Sequence, residues 1–133
     1  MLDTFLKKRN ALVVTTSSVA TARQAVASGV PFDAMVVDKN LPDGSGLDLL
    51  REFTAAGLGV ILITGYPTPE AEAVVKKHGG IAYLPKPFDL GALDKALAKA
   101  IEYSRGHRLE RRQKSVLSSV SEQILRQGRT GKP

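Results

Sequence analysis

Along residues 11–103, short continuous apolar runs alternate with segments in which apolar residues recur at helical spacing. This alternation predicts the fold. Strand candidates rich in apolar residues lie at 11–15, 34–38, 60–64 and 81–84. Continuous apolar runs of this length are typical of strands buried on both faces of a parallel sheet. Between the strands, apolar residues recur at helical spacing. The pattern predicts an α/β fold, a doubly wound parallel sheet of four to five strands with helices on both faces.

The two ends of the chain have patterns of their own. Residues 2–8 are interpreted as a helix fragment, with apolar residues on one side and lysines on the other. Near the other end, four residues form a weak helical stripe at spacings of seven, four and four: Leu109, Val116, Val120 and Ile124. Because so short a helix is marginal in water, we expect this segment to be mostly disordered unless its stripe packs on the body or on a partner.

Length and composition restrict the class of protein. The chain has 133 residues and is 43% hydrophobic, which is enough for one domain core and too little for two. Cysteine is absent, which excludes disulfides, thiolate metal sites and thiol catalysis. The sequence shows neither a signal peptide nor an apolar run long enough to span a bilayer, so we expect a cytoplasmic protein.

The net charge of +6 is concentrated at one end of the chain. Residues 105–133 carry eight Lys or Arg and two Glu, whereas Lys and Arg balance Asp and Glu over residues 1–104. We therefore expect two parts, a neutral globular domain over 1–103 and a basic, partly helical or disordered tail over 104–133. The tail has no aromatic residue after Tyr103, which disfavours nucleic acid and favours a protein partner.

Three predicted strands end in, or just before, a polar residue that can bind phosphate. Asp38 ends the second strand candidate, Thr64 ends the third, and Lys86 follows the fourth. The carboxyl ends of parallel strands meet at one edge, where open α/β sheets hold their ligands. A carboxylate nucleophile, a hydroxyl and an ammonium at that edge would form a site for phosphoryl transfer.

The three motifs resemble the response-regulator receiver domain of two-component signalling. They are VVDKNLPDG at 36–44, ILITG at 61–65 and YLPKPF at 83–88, in family order. The resemblance covers roughly residues 1–103 and implies a flavodoxin-like fold.

The resemblance also implies a role for each site residue. Asp38 would be the phosphoacceptor that forms an aspartyl phosphate, and Thr64 and Lys86 would bind the phosphate. Thr64 and Tyr83 would be switch residues, and the Lys86–Pro87 peptide bond would be cis.

A receiver domain needs an acidic pair after its first strand to hold magnesium, and this chain departs from that pattern. If 12–14 is the first strand, Thr15 and Thr16 stand where the acids should be. The short interval from Thr15 to Asp38, 23 residues, instead favours 11–15 as the second strand. The first strand and its acidic pair would then be missing, and the second strand would be unpaired. Only Asp38 and the carbonyl of Asn40 would remain as weak magnesium ligands.

Three explanations for a missing strand stay open. The chain could be truncated, the domain could close as a four-stranded sheet, or another segment, such as 114–121, could fill the gap from the same or a second chain. The missing strand also predicts a marginally stable monomer, or one that associates through exposed strand edges.

The leading function is a receiver-like signalling module in a phosphorelay, with Asp38 as phosphoacceptor if the metal site can be completed. The first alternative is a phosphorylation-independent pseudo-receiver that acts as a protein-interaction adaptor. A weaker alternative is a transcriptional regulator whose basic tail contacts DNA. We do not expect an enzyme or a membrane protein. The expected partner is a histidine kinase or another signalling protein, with homodimerisation left open.

Overall fold

The computed structural model describes residues 4–8 and 11–108. Its main sheet has five strands in the order β1-β2-β3-β6-β7. These strands are β1 (Thr4–Lys8), β2 (Ala11–Thr16), β3 (Ala34–Asp38), β6 (Val60–Thr64) and β7 (Ala82–Pro85). A small antiparallel ribbon, β4 (Asn40–Leu41) with β5 (Gly44–Ser45), follows β3. Strands β2, β3, β6 and β7 are parallel, so the predicted α/β sheet is confirmed.

Two predictions about the start of the chain are wrong. Residues 4–8 are not a helix but the edge strand β1, antiparallel to β2 with Thr4 opposite Thr15. A helix this short is marginal, whereas pairing with β2 gives the backbone groups of both strands partners. Strand β2 is also not unpaired, because it lies directly beside β3 with Val14 opposite Met35. No gap therefore separates these strands, and the segment 114–121 proposed to fill one lies outside the described residues.

Four helices connect or follow the strands: α1 (Val19–Ala27), α2 (Gly46–Ala55), α3 (Pro69–Lys77) and α4, which covers 90–108. The side chains of Ser18, Ser45 and Thr68 accept hydrogen bonds from backbone N–H groups in the first turns of α1, α2 and α3. Each cap satisfies one of the free donors at a helix start, which fixes where these helices begin.

The two faces of the sheet are covered unequally. Helices α1, α2 and α3 pack on one face, and the buried core there includes Ala22, Met35, Val37, Leu49, Leu50, Phe53, Leu62 and Val75. Among the described helices, α4 alone packs on the other face, with a core of Ala11, Val13, Ala34, Val36, Ile61, Ile63, Ala96, Leu97, Ala100 and Ile101. Both faces of the central strands are therefore buried, which explains their continuous apolar runs.

The last turns of α4 are fixed to the amino-terminal edge of the sheet. The buried Ser104 hydroxyl accepts from the N–H of Gly59 at 2.7 Å, and the Tyr103 hydroxyl donates to the carbonyl of Thr54 at 3.0 Å. Helix α4 continues through 108, and the domain boundary after 103 stays a prediction. Within the described part of the chain, no helix is long and apolar enough to cross a membrane.

Candidate functional site at the strand ends

Asp38 and Lys86 meet at the carboxyl-terminal edge of the sheet. Lys86 Nζ donates to Asp38 Oδ2 at 2.7 Å, and the backbone N–H of Asn40 donates to Oδ1 at 3.0 Å. The side chains are 22% exposed for Asp38 and 40% exposed for Lys86. The contact joins residues 48 positions apart, because parallel pairing brings the ends of β3, β6 and β7 to one edge. A partly exposed carboxylate there can accept a phosphoryl group as a nucleophile, and the ammonium beside it can bind the anionic oxygens of that group.

Thr64 lies at the same edge but is buried beneath it. Its side chain is 0% exposed, and its hydroxyl accepts from the N–H of Tyr66 at 3.0 Å. Its carbonyl accepts from the N–H of Lys86 at 2.6 Å, which joins the end of β6 to the loop that carries Lys86. The structure thus brings the three predicted residues to one edge, with Asp38 and Lys86 in direct contact.

Tyr83 is half-buried in β7, and its hydroxyl accepts from the N–H of Thr68 at 3.1 Å. Since Thr68 caps α3, this contact ties the tyrosine to the start of that helix. The Lys86–Pro87 peptide bond is cis, as the sequence resemblance implied. The switch roles given to Tyr83 and Thr64 stay predictions.

The residues around Asp38 do not fit a magnesium site. Strand β2, which lies beside β3, ends in Thr15 and Thr16, and the Thr16 hydroxyl is buried and donates to the carbonyl of Ser18 at 2.8 Å. Within the described residues, no group of three Asp, Glu, His or Cys side chains is placed to hold a metal ion. Magnesium prefers a near-octahedral set of oxygen ligands, with one or two carboxylates from the protein. Asp38 supplies one, and Lys86 already occupies one of its oxygens.

The nearby carboxylate of Asp43 is engaged elsewhere. It accepts from the backbone N–H groups of Val19 at 2.7 Å and Ala20 at 3.0 Å, at the start of α1. These hydrogen bonds lower the pKa of Asp43 below its usual value of 3.8. The sequence pattern does not reveal this contact, because PDG at 42–44 is typical of a turn and carries no sign of a distant partner.

Gly46 is a second site residue that the sequence analysis missed. A Cβ atom at this position would lie 2.3 Å from the backbone oxygen of Asp38, and the Gly46 N–H donates to the carbonyl of Lys39 at 2.8 Å. Only glycine allows the start of α2 to approach the end of β3 so closely. The GSG sequence at 44–46 is the signal that could have predicted such an approach, but two glycines around a serine are also typical of an ordinary turn.

Among the residues that the structure describes, the most buried carboxylate lies at the opposite edge of the sheet. Asp33, just before β3, is 5% exposed and accepts from Arg108, from the N–H of Leu12 at 2.9 Å and from Arg105 Nε at 3.3 Å. Burial by itself raises the pKa of Asp33, but the hydrogen bonds from Arg108, Leu12 and Arg105 outweigh it and lower the pKa below 3.8. This cluster holds α4 against β2 and β3 and is far from Asp38 along the strand.

Curated proteins of similar sequence are bacterial regulators. The chain is 35% identical over 125 residues to the transcriptional regulatory protein FixJ of Azorhizobium caulinodans, covering 90% of this chain and 56% of that protein. It is 37% identical over 86 residues to the response regulator protein PilR of Pseudomonas aeruginosa, covering 63% of this chain and 19% of that protein. The chain therefore spans about half, or less, of the length of these relatives.

Solved structures of similar fold lead to the same family. A response regulator receiver domain protein from Clostridium thermocellum matches with a TM-score of 0.60 at 29% identity, over 72% of this chain and 77% of that one. The signal receiver domain of an HD domain-containing protein from Pseudomonas fluorescens matches with a TM-score of 0.61 at 29% identity, over 68% of each chain. The family profile of the response regulator receiver domain matches residues 1–98. With the parallel sheet and the shared sequence motifs, this match shows that the chain belongs to the response regulator receiver domain family.

Proposed function

We propose that this chain is a receiver domain that signals through protein contacts without magnesium-dependent phosphorylation of Asp38. One observation carries the proposal: β2, which lies beside β3, ends in Thr15 and Thr16, so Asp38 has no neighbouring acidic pair within the part of the chain that the structure describes. The nearby Asp43 carboxylate is held by the first turn of α1, which makes it a poor substitute. Asp38 and Lys86 then form an ion pair between the protein's own residues at the strand ends.

The exposed surface at this edge supports a protein partner. Tyr66 is 77% exposed and Leu90 is 76% exposed, and they are the large hydrophobic residues most open to solvent in the described part of the chain. Tyr66 follows the carboxyl end of β6 and Leu90 follows that of β7, so both belong to the edge that carries Asp38. Exposed aromatic and aliphatic side chains are typical anchors of protein interfaces. The partner we propose is a histidine kinase or another signalling protein.

Phosphorylation of Asp38 is the second candidate function, and the 2.7 Å contact with Lys86 favours it. An ammonium at this distance can hold a phosphoryl oxygen once the carboxylate is modified. The two candidates differ in whether phosphate transfer to Asp38 occurs without a second carboxylate to bind magnesium.

A phosphorylation assay separates the candidates. The full chain is incubated with magnesium and a small phosphodonor, and products are separated on a phosphate-affinity gel. We expect almost no label on Asp38, because the magnesium ligands are insufficient. A receiver domain with an intact acidic pair serves as the positive control, and Asp38→Asn serves as the negative control. Stoichiometric labelling that is lost in Asp38→Asn would overturn the proposal.

Beryllofluoride provides a readout that does not depend on the phosphodonor. A solved NtrC4 receiver domain dimer is described as activated by beryllofluoride. We expect no bound fluorine resonance when this chain is mixed with beryllofluoride and magnesium, and the same result for Lys86→Met. A bound resonance that requires Asp38 would favour the phosphoacceptor role instead.

We propose no role in DNA binding for the basic tail, although the relatives include transcriptional regulators. The tail has cations for phosphate contacts but no aromatic side chain to stack on bases. DNA binding through these cations would weaken with salt, with a log–log slope near −0.9 for each phosphate contact. A titration of duplex DNA monitored by fluorescence anisotropy at several salt concentrations tests this alternative. Tight, salt-sensitive binding would support a transcriptional role.

A further inference from the structure

A cavity of about 180 Å³ lies at the amino-terminal edge of the sheet, opposite the edge that carries Asp38 and Lys86. It is formed where three elements meet: the end of α1 with the loop to β3, the end of α2 with the loop to β6, and the last turn of α4. Its walls include Val26, Val30, Phe32, Phe53, Leu58 and Arg108. The cavity is therefore separate from the site around Asp38.

Most of the cavity wall is apolar and is held in place by the fold. Phe32 and Phe53 are buried in the core on this face of the sheet, and Val26, Val30 and Leu58 pack against the same core. The N–H of Phe32 donates to the carbonyl of Val30, and the N–H of Leu58 donates to that of Phe53, each at 2.9 Å. These loop N–H groups are thus satisfied within the loops themselves. A wall of this kind selects a ligand with an apolar body.

The size of the cavity limits the ligand to about one ring. Sites for drug-sized molecules have volumes of about 300–1,000 Å³, whereas an apolar cavity of about 150 Å³ in another protein binds benzene. The cavity of about 180 Å³ is close to the second case. The rings of Phe32 and Phe53 in its wall also offer the surfaces on which an aromatic ring packs edge-to-face or offset-stacked.

Arg108 adds a charged group to this apolar wall. Its Nη1 donates to the carbonyls of Phe32 at 2.9 Å and Pro31 at 3.4 Å, and its Nη2 donates to the carboxylate of Asp33. These contacts use at most three of the five N–H groups of a guanidinium. The described residues provide no acceptor for the others, and the Arg108 side chain is 39% exposed. A ligand in the cavity can therefore reach an N–H donor.

The charges beside the cavity favour an anionic ligand. Asp33 accepts from Arg105 as well as from Arg108, so one carboxylate faces two guanidinium groups and one positive charge is left in excess. Both arginines are partly exposed, so this excess charge is open to solvent. A carboxylate bound to Arg108 would balance the charge and form charge-assisted hydrogen bonds.

We propose that this cavity binds a small aromatic carboxylate. The single ring lies against Phe32 and Phe53, and the carboxylate accepts from the N–H groups of Arg108 that the domain does not use. Because Arg108 also joins α4 to Asp33 before β3, the ligand binds where α4 is attached to the sheet. The site is independent of phosphorylation, since Asp38 lies at the other edge.

An NMR titration of the full chain with phenylacetate tests the proposal. We expect saturable changes in the amide chemical shifts centred on Val30, Gly57 and Leu58, which line the cavity. Benzyl alcohol, which has the ring but no charge, should bind about tenfold more weakly or less, because it makes no charge-assisted hydrogen bond with Arg108.

Two variants separate the ring from the carboxylate. Val30→Phe places a ring in the cavity and should weaken phenylacetate binding by about tenfold or more. Val74→Phe, the same change at a half-buried valine of α3 away from the cavity, is the matched control and should leave binding unchanged. Arg108→Gln should weaken binding of phenylacetate but not of benzyl alcohol, so the tenfold preference disappears. A general loosening of the cavity would weaken both alike.

Several outcomes would overturn the proposal. The absence of saturable shifts would mean that the cavity binds no aromatic carboxylate, and shifts centred on Asp38 and Lys86 would mean that the lysine at the other edge binds the anion. Equal affinity for phenylacetate and benzyl alcohol would exclude a role for Arg108. Unchanged binding in Val30→Phe would place the ring elsewhere. If Val30→Phe does not fold, the location of the shifts and the preference of the unmodified chain for phenylacetate decide the question.

Discussion

Lys86 Nζ lies 2.7 Å from Oδ2 of Asp38, and this single contact joins the loop after β7 to the end of β3. The parallel order of β3, β6 and β7 makes the contact possible, because it places the ends of these strands side by side. The same edge carries threonines rather than carboxylates at the end of β2. The ion pair is therefore formed between the protein's own residues, and no acidic pair lies beside it among residues 4–8 and 11–108.

The ion pair between Lys86 and Asp38 should contribute little to stability. Both side chains are partly exposed, so solvent and salt screen their attraction. We predict that Lys86→Met changes the free energy of unfolding by less than about 1 kcal/mol, as measured by urea denaturation. Lys76→Met, which removes an exposed pair with Glu72, is a suitable comparison. A loss several times larger for Lys86→Met would show that the pair holds the site together.

Asp33 should be much more important for stability than Asp38. It is buried, and its carboxylate accepts from Arg105, Arg108 and the N–H of Leu12. We predict that Asp33→Ala lowers the free energy of unfolding by about 3 kcal/mol, because the N–H of Leu12 and the guanidinium of Arg108 lose a charged acceptor. Urea denaturation measures the loss. Glu52→Ala is the matched control, since it breaks the exposed pair with Arg23 and should cost less than about 1 kcal/mol.

The close approach of α2 to β3 predicts a strong effect at Gly46. The added Cβ of Gly46→Ala would lie 2.3 Å from the backbone oxygen of Asp38, so the helix or the strand end must move. We predict a destabilisation of about 1–3 kcal/mol, together with chemical-shift changes at Asp38 and Lys39. Gly106→Ala in α4 is the control, since its added Cβ meets nothing within 4 Å. In a helix, that substitution should stabilise the protein by about 0.5–1 kcal/mol.

The Tyr83 hydroxyl should stabilise the start of α3. It accepts from the N–H of Thr68, the residue that caps this helix. We predict that Tyr83→Phe costs about 1 kcal/mol of stability, the usual contribution of one intramolecular hydrogen bond. Amide exchange in the first turn of α3 should also become faster. Unchanged stability and exchange would show that water replaces the hydroxyl without cost.

The sequence was sufficient to predict the central part of the fold, because the signals there are local. The run VILIT at 60–64 is apolar throughout and is buried at every position of β6. The three motifs placed Asp38, Thr64 and Lys86 at one edge, because each follows or ends such a run.

The remaining features depend on contacts between distant residues, and sequence patterns do not report them. Residues 4–8 are too few for periodicity to distinguish a helix from a strand, and pairing with β2 decides the outcome. Asp33 lies in a connection between α1 and β3, and its partner Arg108 is 75 residues away. Asp43 lies in a turn motif, although its partners are 23 and 24 residues earlier in the chain. These contacts require the fold before they can be recognised.

Asp33 and Asp43 also predict how stability depends on pH. Both have a pKa below 3.8 in the folded protein, for Asp33 because the hydrogen bonds of its buried cluster outweigh desolvation and for Asp43 because backbone N–H groups bind its carboxylate. The unfolded chain, in which these contacts are absent, binds protons more readily at acidic pH. Both carboxylates therefore make their full contribution to the free energy of unfolding above about pH 4, which is roughly the pKa of Asp in the unfolded chain. The contribution is lost as the pH falls toward the lower pKa values of the folded protein.

We predict that the urea midpoint of the protein falls as pH is lowered from about 5 to about 3, and that Asp33→Asn reduces this fall. The amide cannot ionise, so the substituted protein is less stable near neutral pH and loses less stability in acid. Asp43→Asn should reduce the fall separately, since the two carboxylates lie in different contacts at opposite edges of the sheet. A double variant should therefore show the flattest pH profile. A profile for Asp33→Asn that runs parallel to that of the unmodified protein would mean that this carboxylate has the same proton affinity in the folded and unfolded states.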